Sequence, residues 1–264
     1  MIRVGVGGWT YEPWRGTFYP PGLKQADELS YASRHLTTIE INGTFYRTQS
    51  ASSFKKWRDE TPEDFVFSVK GHRAVVNSRK LADAGEPIQW FFNSGVLELG
   101  EKLGPILWQF APFRKFAADD LSAFLKLLPR KAGGRPLMHV VEVRHQSFLS
   151  EEFVDLLRDN NIAVVYADSD DYPALADVTA DFIYARLQRT EEKNDLGYSS
   201  LDLDRWAARA RLWEKGSTPE DLPQVGKKPA PKKQHPVFIY MISGAKLRCP
   251  IAAMALIERL EKLK

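Results

Sequence analysis

Short β-rich runs recur along the chain at fairly regular intervals, and most of them are followed by a stretch with helical periodicity. The eight runs are IRVGVGG, TIEIN, FVFSVKG, ILWQFAP, HVVEVRH, AVVYADS, DFIYARL and VFIYMIS. Strands that alternate with helices form parallel sheets, because a crossover must return the chain to the same edge of the sheet. Eight such units within 264 residues predict an α/β fold, a single (β/α)8 TIM-barrel domain over residues 1–264.

The helical stretches support the same fold. Those with the clearest three- and four-residue apolar spacing lie at 119–129, 151–161, 202–216 and 250–264, and further helices are predicted at 50–59 and 88–103. The connection 171–180 has only weak helical periodicity. The alternative is an open doubly wound sheet, which normally has a glycine-rich phosphate loop that opens its first helix. GVGGWTYEPW lacks that helix, so the barrel is favoured and no nucleotide cofactor is expected.

Composition excludes several classes of protein. No apolar run reaches membrane-spanning length and MIRVGVGGW resembles a first strand, so we expect a cytoplasmic chain without a membrane partner. Cys249 is the single cysteine, which excludes an intrachain disulfide and a cysteine-rich zinc module. The net charge of +3 indicates a mixed surface rather than a nucleic-acid-binding tail. The lysine- and proline-rich segment 226–236 is predicted as a flexible loop before the last strand.

Polar residues occupy the C-terminal ends of the strand runs. In TIEINGTFYR, Glu40 and Asn42 alternate with isoleucines, although a buried strand should avoid charge. Side chains alternate between the two faces of a strand, so the apolar partners are predicted to face the helices and the polar residues the barrel interior. The other residues with this parity are Ser68, Lys70, Gln109, Glu142, Arg144, Tyr166, Asp168, Tyr184 and Arg186. Active sites in this fold lie at the C-terminal face, so a pocket is predicted there.

The ionisable residues of this ring have two interpretations, because burying an unpaired charge costs several kcal/mol. They are Glu40, Lys70, Glu142, Arg144, Asp168 and Arg186. In the structural interpretation, three acids and three bases neutralise one another as ion pairs. In the functional interpretation, Arg144 and Arg186 clamp an anionic ligand, and the other four residues together with His145 are the catalytic candidates.

The loops that leave the same end are rich in aromatic and basic residues. Aromatic faces interleaved with arginine and histidine suit a sugar, a nucleobase or a single-stranded nucleic acid. The substrate-binding candidates from these loops and strand ends are Trp9, Tyr11, Asn42, Tyr46, His72 and Gln109.

The last strand leads into SGAKLRCP, directly before a predicted helix that starts with Pro250. Free backbone N–H groups at a helix N-terminus can hold an anion, and barrels often bind phosphate with the loops after their last two strands. Gly244, Lys246 and Arg248 are therefore a predicted phosphate site, and the competing interpretation is ordinary helix capping.

Several motifs together resemble one family. They are GGWTYEPWRGTFYPPGL, IEINGTFYR, TPEDFVFSVK, LGPILWQFAP, VVEVRHQSF and YADS, and their order resembles domain-of-unknown-function family 72, the YecE-like TIM-barrel proteins. The resemblance covers nearly the whole chain. It implies a barrel related in shape to sugar isomerases and the endonuclease-IV-like group, but no settled activity. The chain departs from the family pattern at RLQRTEE, where many relatives have RLHG, and at MISGAKLRCP, which replaces an asparagine-containing stretch.

The residue types limit the reactions that can be expected. Trinuclear zinc chemistry needs several converging histidines, and only His72 and His145 are predicted at the correct end. A single divalent metal held by Glu142 and Asp168, near His145, remains open. A retaining glycosidase needs carboxylates about 5 Å apart, and Glu40 and Glu142, from the second and fifth strands on opposite sides of the barrel, are not expected to pair at that distance. Lys70 needs a depressed pKa to form a Schiff base, and neighbouring carboxylates are expected to keep it charged.

These observations lead to a hypothesis with alternatives left open. The chain is expected to be an enzyme of the hydrolase or isomerase class, with or without a metal, that acts on a small anionic, phosphorylated or sugar-like ligand. The alternatives are a protein that binds single-stranded nucleic acid and a non-catalytic ligand-binding scaffold. The oligomeric state is not predicted.

Overall fold

The computed structural model, which describes residues 1–228 and 233–262, contains a closed barrel of eight parallel strands. The barrel strands are β1 Ile2–Gly7, β2 Thr38–Ile41, β3 Val66–Lys70, β4 Leu103–Gln109, β7 His139–Glu142, β8 Ala163–Asp168, β9 Ile183–Leu187 and β10 Val237–Met241. Two short strands, β5 Lys131–Ala132 and β6 Arg135–Pro136, form an antiparallel hairpin outside the barrel. Each predicted β-rich run contributes one barrel strand, so the predicted TIM barrel is confirmed.

The strands follow one another around the barrel in chain order. The first and last strands close it, because Ile2 of β1 pairs with Val237 of β10 and this register continues to Val6 and Met241. All barrel pairings are parallel. Every strand therefore delivers its C-terminal end to the same face of the barrel, and the loops that leave this face surround a common mouth.

Helices cover the outside of the barrel. They are α1 Glu28–His35, α2 Ala51–Glu60, α3 Arg73–Val76, α4 Gly85–Asn93, α5 Ala118–Leu127, α6 Glu151–Asp159, α7 Ser200–Glu214 and α8 Cys249–Lys262. Serine side chains cap α2, α6 and α7, since Ser50, Ser150 and Ser199 each accept a hydrogen bond from a first-turn N–H group. In the part of the chain described here, no helix combines the length and apolar character needed to cross a bilayer.

Two predicted segments differ from what is observed. The helix predicted at 88–103 is divided, because Gly95 adopts a left-handed φ of 110° after α4 and a 3-10 segment, Val96–Lys102, follows. The predicted flexible loop 226–236 contains residues 229–232, which lie outside the described residues, so its flexibility stays a prediction. On either side of them, Lys228 and Lys233 form ion pairs with Asp155 and Asp181. Residues 263–264 of the last predicted helix also lie outside the described residues.

The barrel interior is apolar towards the N-terminal ends of the strands and polar towards their C-terminal ends. The inner apolar cluster consists mainly of Leu107, Val140, Ala163, Val165, Phe182, Tyr184, Phe238 and Tyr240. Two of its tyrosines bring hydroxyl groups to the axis, where Tyr184 meets Ser68 Oγ at 2.8 Å and Tyr240 meets Thr38 Oγ1 at 2.9 Å. Two residues further towards the C-terminal ends of these strands, the inward side chains are charged: Glu40 follows Thr38, Lys70 follows Ser68 and Arg186 follows Tyr184.

Strand β8 departs from the predicted parity. Tyr166 packs against Trp206 and Trp213 of α7, with ring centroids 5.8 and 5.9 Å apart, so Tyr166 and Asp168 face the helices. Ala163 and Val165 face the barrel interior instead. The prediction that Tyr166 and Asp168 line the interior is therefore wrong. The order Tyr166-Ala167-Asp168 matches Tyr184-Ala185-Arg186 of β9, and both strands are buried throughout, so alternation alone could not identify the inward face of β8.

Candidate functional site

A charged layer, formed by Glu40, Lys70, Glu142, Arg144 and Arg186, crosses the upper barrel interior. Its centre is Arg186 of β9, which donates from Nη2 to Glu40 Oε1 at 3.0 Å and from Nη1 to Glu142 Oε2 at 2.5 Å. One guanidinium group thus bridges carboxylates from β2 and β7. All three residues are buried, so the ion pairs are shielded from solvent.

Both carboxylates have further hydrogen-bond donors. Glu142 also accepts from Gln109 Nε2 at 2.7 Å and from Arg144 Nε at 3.0 Å, and Glu40 accepts from the Tyr184 hydroxyl at 2.6 Å. Burial opposes ionisation of Glu142, but Arg186, Arg144 and the Gln109 hydrogen bond outweigh it and lower the pKa of that carboxyl. The interpretation that the charges neutralise one another therefore holds for four of the six predicted ionisable residues. They are Glu40, Glu142, Arg144 and Arg186.

Lys70 is the member of the charged layer without an ion-pair partner. It lies at the end of β3, is 8% exposed, and has no carboxylate oxygen of the described residues within 4.0 Å of Nζ. The ammonium group stands 4.2 Å from the centroid of the Phe45 ring. Burial and then repulsion by Arg186 lower the pKa of Lys70 to about 8, against the attraction of the two glutamates. The carboxylates therefore do not hold the pKa of Lys70 at the ordinary lysine value, because the arginines already neutralise them, although the amine stays mostly protonated at pH 7.

A cavity of about 270 Å³, the mouth cavity, opens beside Lys70 at the C-terminal face. Its lining residues are Gly7, Trp14, Asn42, Tyr46, Lys70, Met241, Ile242, Ser243, Lys246 and Cys249. Two lysines and no carboxylate are among these described residues, so the cavity is suited to an anion. Lys246 is exposed and its Nζ lies 4.3 Å from the centroid of the Tyr11 ring.

The loop after β10 holds Lys246 at this cavity through an unusual backbone. Ser243 and Gly244 both have left-handed φ values, 68° and 62°. The Ser243 carbonyl accepts from Thr190 Oγ1 at 2.9 Å, and Ala245 N donates to the Thr190 carbonyl at 2.8 Å. The Trp14 indole in the first loop donates to the Lys246 carbonyl at 2.9 Å. These bonds connect three loops around one side of the mouth.

The predicted phosphate site is only partly assembled around the mouth cavity. Lys246 lines the cavity, whereas Arg248 is directed to Asp195, whose carboxylate oxygen lies 3.7 Å from Nη2. Backbone N–H groups of Lys246 and Arg248 bond to the carbonyls of Gly244 and Ala245 within a 3-10 turn that precedes α8. Helix α8 begins at Cys249, one residue before the predicted start. Ordinary capping therefore uses the backbone donors that the prediction had assigned to an anion.

The two candidate histidines act as local caps. His72 Nδ1 accepts from Ala74 N at 3.1 Å at the start of α3, and His145 Nδ1 accepts from Ser147 N at 3.1 Å. The His72 ring packs edge-on against Trp90, with centroids 4.7 Å apart, and burial lowers its pKa. Neither histidine lines the mouth cavity.

Most aromatic side chains of the first loop are used in packing. Trp9 packs against Trp57 of α2 at a centroid distance of 5.0 Å and does not line the mouth cavity. Trp14, Phe18 and Tyr19 are also buried. Tyr46 is the clear exception, because it is 67% exposed and lines the mouth cavity.

Asp168 lies in a different environment from the other predicted acids. It pairs with Arg189, whose Nη1 is 3.3 Å from Oδ1, and accepts a 3.4 Å hydrogen bond from the Tyr198 hydroxyl. Burial raises the pKa of Asp168. Because Glu142 points inward and Asp168 outward, the predicted metal pair does not converge. Among residues 1–228 and 233–262, no group of three or more His, Cys, Asp or Glu side chains is placed to hold a metal ion.

Sequence reasoning missed the residues that support Lys70 and Lys246. Phe45 lies in the GTFYR segment, but nothing in the sequence indicated that its ring would face the Lys70 ammonium group. Thr190 lies in RLQRTEE, a segment interpreted only as a departure from the family pattern. The Ser243-Gly244 dipeptide was a usable signal, since serine followed by glycine is typical of a tight turn.

Comparison with known proteins finds relatives whose names state no activity. The family model described as "Protein of unknown function DUF72" matches residues 3–263. The UPF0759 protein YunF of Bacillus subtilis (strain 168) is 27% identical over 160 residues, which is 59% of this chain and 55% of YunF. The UPF0759 protein YecE of Escherichia coli (strain K12) is 25% identical over 152 residues, 57% of this chain and 51% of YecE. Each alignment thus spans about half of the relative.

Two solved structures share the fold over the whole chain. A DUF72 family protein from Thermotoga maritima MSB8 has a TM-score of 0.75 at 23% identity, with 99% of each chain covered. A DUF72 family protein from Enterococcus faecalis V583 has a TM-score of 0.71 at 16% identity, covering 99% of this chain and 96% of that one. At such identities the similarity shows the fold alone.

Proposed function

The chain belongs to the DUF72 family, and from the geometry of its barrel mouth we propose that it binds a small anionic ligand, phosphorylated or sugar-like. The observation that carries this proposal is the pairing of Lys70 and Lys246 in one cavity whose described lining residues include no carboxylate. The volume of about 270 Å³ lies just below the usual range for ligand pockets, about 300–1,000 Å³, which favours a small molecule over a polymer.

The charged layer below the cavity makes the two lysine charges effective. Glu40 and Glu142 are matched by Arg144 and Arg186, so this quartet has no net charge. The positive charges of Lys70 and Lys246 are then not cancelled locally, and a concave site with one sign of charge attracts the opposite ion. An anion in the cavity would also reduce the unfavourable burial of the Lys70 ammonium group.

Polar groups in the same cavity suit hydroxyl-bearing ligands. Asn42 and Tyr46 bring an amide and a phenol from the loop after β2, and Ser243 brings a hydroxyl from the loop after β10. Such groups fix the orientation of a ligand through hydrogen bonds, while the lysines supply most of the attraction. A phosphorylated polyol offers partners to both kinds of group.

Two observations favour a small ligand in the mouth over the other candidates. The aromatic faces expected to stack on a nucleic acid are largely buried in the first loop, at Trp14, Phe18 and Tyr19. A cavity of about 400 Å³ lies at the start of β4, and one of about 420 Å³ lies between Asp168 and α7. The first is at the N-terminal end of a strand, away from the C-terminal face where ligand sites of this fold occur. The second lies outside the barrel wall, and the carboxylates of Asp168, Glu191, Asp202 and Asp221 among its lining residues disfavour an anion there.

The proposal is tested by calorimetric titration with glycerol 3-phosphate at low ionic strength. Lys246→Ala is expected to weaken binding about tenfold, since one charge-assisted hydrogen bond contributes about 1.5 kcal/mol or more. The control is Lys126→Ala, an exposed lysine on α5, which should bind like the parent protein. Equal affinity of the parent and Lys246→Ala proteins, or no binding by the parent, would refute the site.

A further inference from the structure

The Lys70 ammonium group, which forms no ion pair with any of the described residues, suggests a chemical role beyond binding. Resting on the anion site proposed above, we propose that Lys70 is an imine-forming amine, which condenses with the carbonyl group of a small anionic aldehyde or ketone in the mouth cavity. The ligand class is therefore an oxo acid or a phosphorylated carbonyl compound.

The geometry distinguishes Lys70 from an ion-pairing lysine. A lysine that contacts a carboxylate is held in its protonated form, and a protonated amine cannot attack a carbonyl group. Here Arg186 takes both nearby glutamates, at 3.0 and 2.5 Å, and Lys70 faces the Phe45 ring and the cavity. Burial at 8% exposure also limits the water that would compete for the amine.

The protonation equilibrium supports the same role. The charged groups that face Lys70 are Glu40 from β2, Glu142 from β7, Arg144 after β7 and Arg186 from β9. Burial is the largest cause, and together with the two arginines it lowers the pKa of Lys70 to about 8, against the two glutamates, which raise it. About a tenth of the amine is then neutral at pH 7, far more than for an ordinary lysine.

The condensation needs no oxidant, reductant or further reactant. The nitrogen lone pair forms a bond to the carbonyl carbon, the carbon–oxygen π pair moves to oxygen, and proton transfer from nitrogen gives a neutral carbinolamine. That intermediate then loses its hydroxyl group with the second nitrogen hydrogen as water, which leaves the imine. Lys246, on the cavity wall, is placed to hold the carboxylate or phosphate of the same ligand.

Another partly buried lysine provides an internal control. Lys102, before β4, donates from Nζ to the carbonyls of Arg58 and Thr61, at 2.5 and 2.7 Å, and to Thr61 Oγ1 at 3.1 Å. Burial lowers its pKa as well. It lies at the start of its strand, away from the mouth cavity, so a reaction that selects Lys70 over Lys102 depends on the cavity and not on burial alone.

The test is reductive trapping of the full chain with sodium cyanoborohydride, followed by intact mass measurement and peptide mapping. The probes are dihydroxyacetone phosphate and pyruvate, and glycerol 3-phosphate is the matched anion without a carbonyl group. We expect one adduct, on Lys70, with at least one carbonyl probe and no adduct with glycerol 3-phosphate. Lys70→Met should abolish the adduct, and Lys246→Ala should raise the probe concentration for half-maximal labelling about tenfold.

The outcomes separate this inference from the proposed function. If glycerol 3-phosphate binds but neither carbonyl probe labels Lys70, the anion site stands and the imine chemistry is rejected. Labelling of Lys102 and Lys126 to the same extent as Lys70 also rejects it, because the cavity then confers no selectivity. If glycerol 3-phosphate does not bind and no adduct forms, both proposals fail.

Discussion

At the scale of single residues, one charged layer contains groups with opposite thermodynamic roles. Arg186 satisfies Glu40 and Glu142 together, so removal of this side chain would leave two buried carboxylates facing each other. Lys70 has the opposite effect on stability, because its burial disfavours the charge that it carries at neutral pH. Stabilisation of the folded state therefore does not explain a lysine at this position. This is the reason for proposing a chemical role for Lys70.

The first prediction concerns the stability of a Lys70→Met variant. At pH 7 we expect its free energy of unfolding to exceed that of the parent protein by about 2 kcal/mol, because a buried charge without an ion pair is replaced by an apolar side chain of similar length. Urea unfolding followed by circular dichroism measures the difference. Lys126→Met, on the exposed face of α5, should change stability by less than about 0.5 kcal/mol.

The sign of the pH dependence follows from the lowered pKa of Lys70. Between about 8 and the ordinary lysine value of 10.5, the unfolded chain binds more protons at this site than the folded chain. The parent protein therefore gains stability as the pH rises through this window. The advantage of Lys70→Met should be complete below pH 8 and shrink above it. A variant that is less stable than the parent at pH 7 would contradict the unfavourable burial of this charge.

At the scale of structural elements, the loop after β10 determines the position of the Lys246 side chain at the mouth cavity. Its two successive left-handed residues, Ser243 and Gly244, turn the chain sharply against Thr190 in the loop after β9. A Cβ atom on Gly244 would lie 2.5 Å from the Thr190 carbonyl oxygen. Glycine is therefore required for both conformation and space, and the position of Lys246 depends on it.

The second prediction is that Gly244→Ala weakens both the fold and the anion site. We expect a loss of about 2–3 kcal/mol in the free energy of unfolding, from left-handed strain and the carbonyl clash, together with weaker glycerol 3-phosphate binding. Thermal unfolding and calorimetry measure the two effects. Gly133→Ala has a similar φ of 55° without any neighbour within 4 Å, and should lose only about 1 kcal/mol. Equal effects of the two substitutions would contradict the role assigned to the clash.

At the scale of the whole molecule, closure of the barrel joins its first and last strands. Strand β1 lies between β2 and β10, and the N-terminal ammonium group pairs with Glu214 of α7 at 2.6 Å. Close approach is needed at one point, because a Cβ atom on Gly5 would lie 1.8 Å from the Thr38 carbonyl oxygen. A displacement of β1 opens the ring of hydrogen bonds and exposes two strand edges.

The third prediction is that Gly5→Ala disrupts the barrel as a unit. We expect a loss of more than about 4 kcal/mol, because the backbone of β2 cannot yield without breaking its pairing, and we expect the exposed edges to promote aggregation. Circular dichroism and size-exclusion chromatography measure the outcome. Gly43→Ala has no neighbour within 4 Å and an ordinary backbone conformation, so its stability should stay within about 0.5 kcal/mol of the parent. A soluble Gly5→Ala protein with parental stability would contradict this prediction, because it would show that β1 can shift away from Thr38 without loss of strand pairing.

Much of the barrel and part of its interior could be predicted from the sequence. The order of strand and helix units identified the fold, since parallel strands with crossovers have few closed arrangements. The alternation in β2, β3 and β9 correctly placed Glu40, Lys70 and Arg186 inside, because one face of each strand end is polar. The same rule failed at Asp168. β8 and β9 are both buried throughout and have the same order of tyrosine, alanine and charged residue, so only the packing of Tyr166 against α7 shows that this pattern is turned outward in β8.

The sequence by itself determined the fold class and the inward direction of Glu40, Lys70 and Arg186, because local periodicity controls the direction of each side chain. Only the tertiary structure decided how the charges are shared. Arg186 takes both glutamates, and Lys70 is left facing a cavity that it shares with Lys246. The physical reason is that Coulomb interactions depend on distances of a few ångströms between groups from strands far apart in the sequence, and on the burial that only the closed barrel creates.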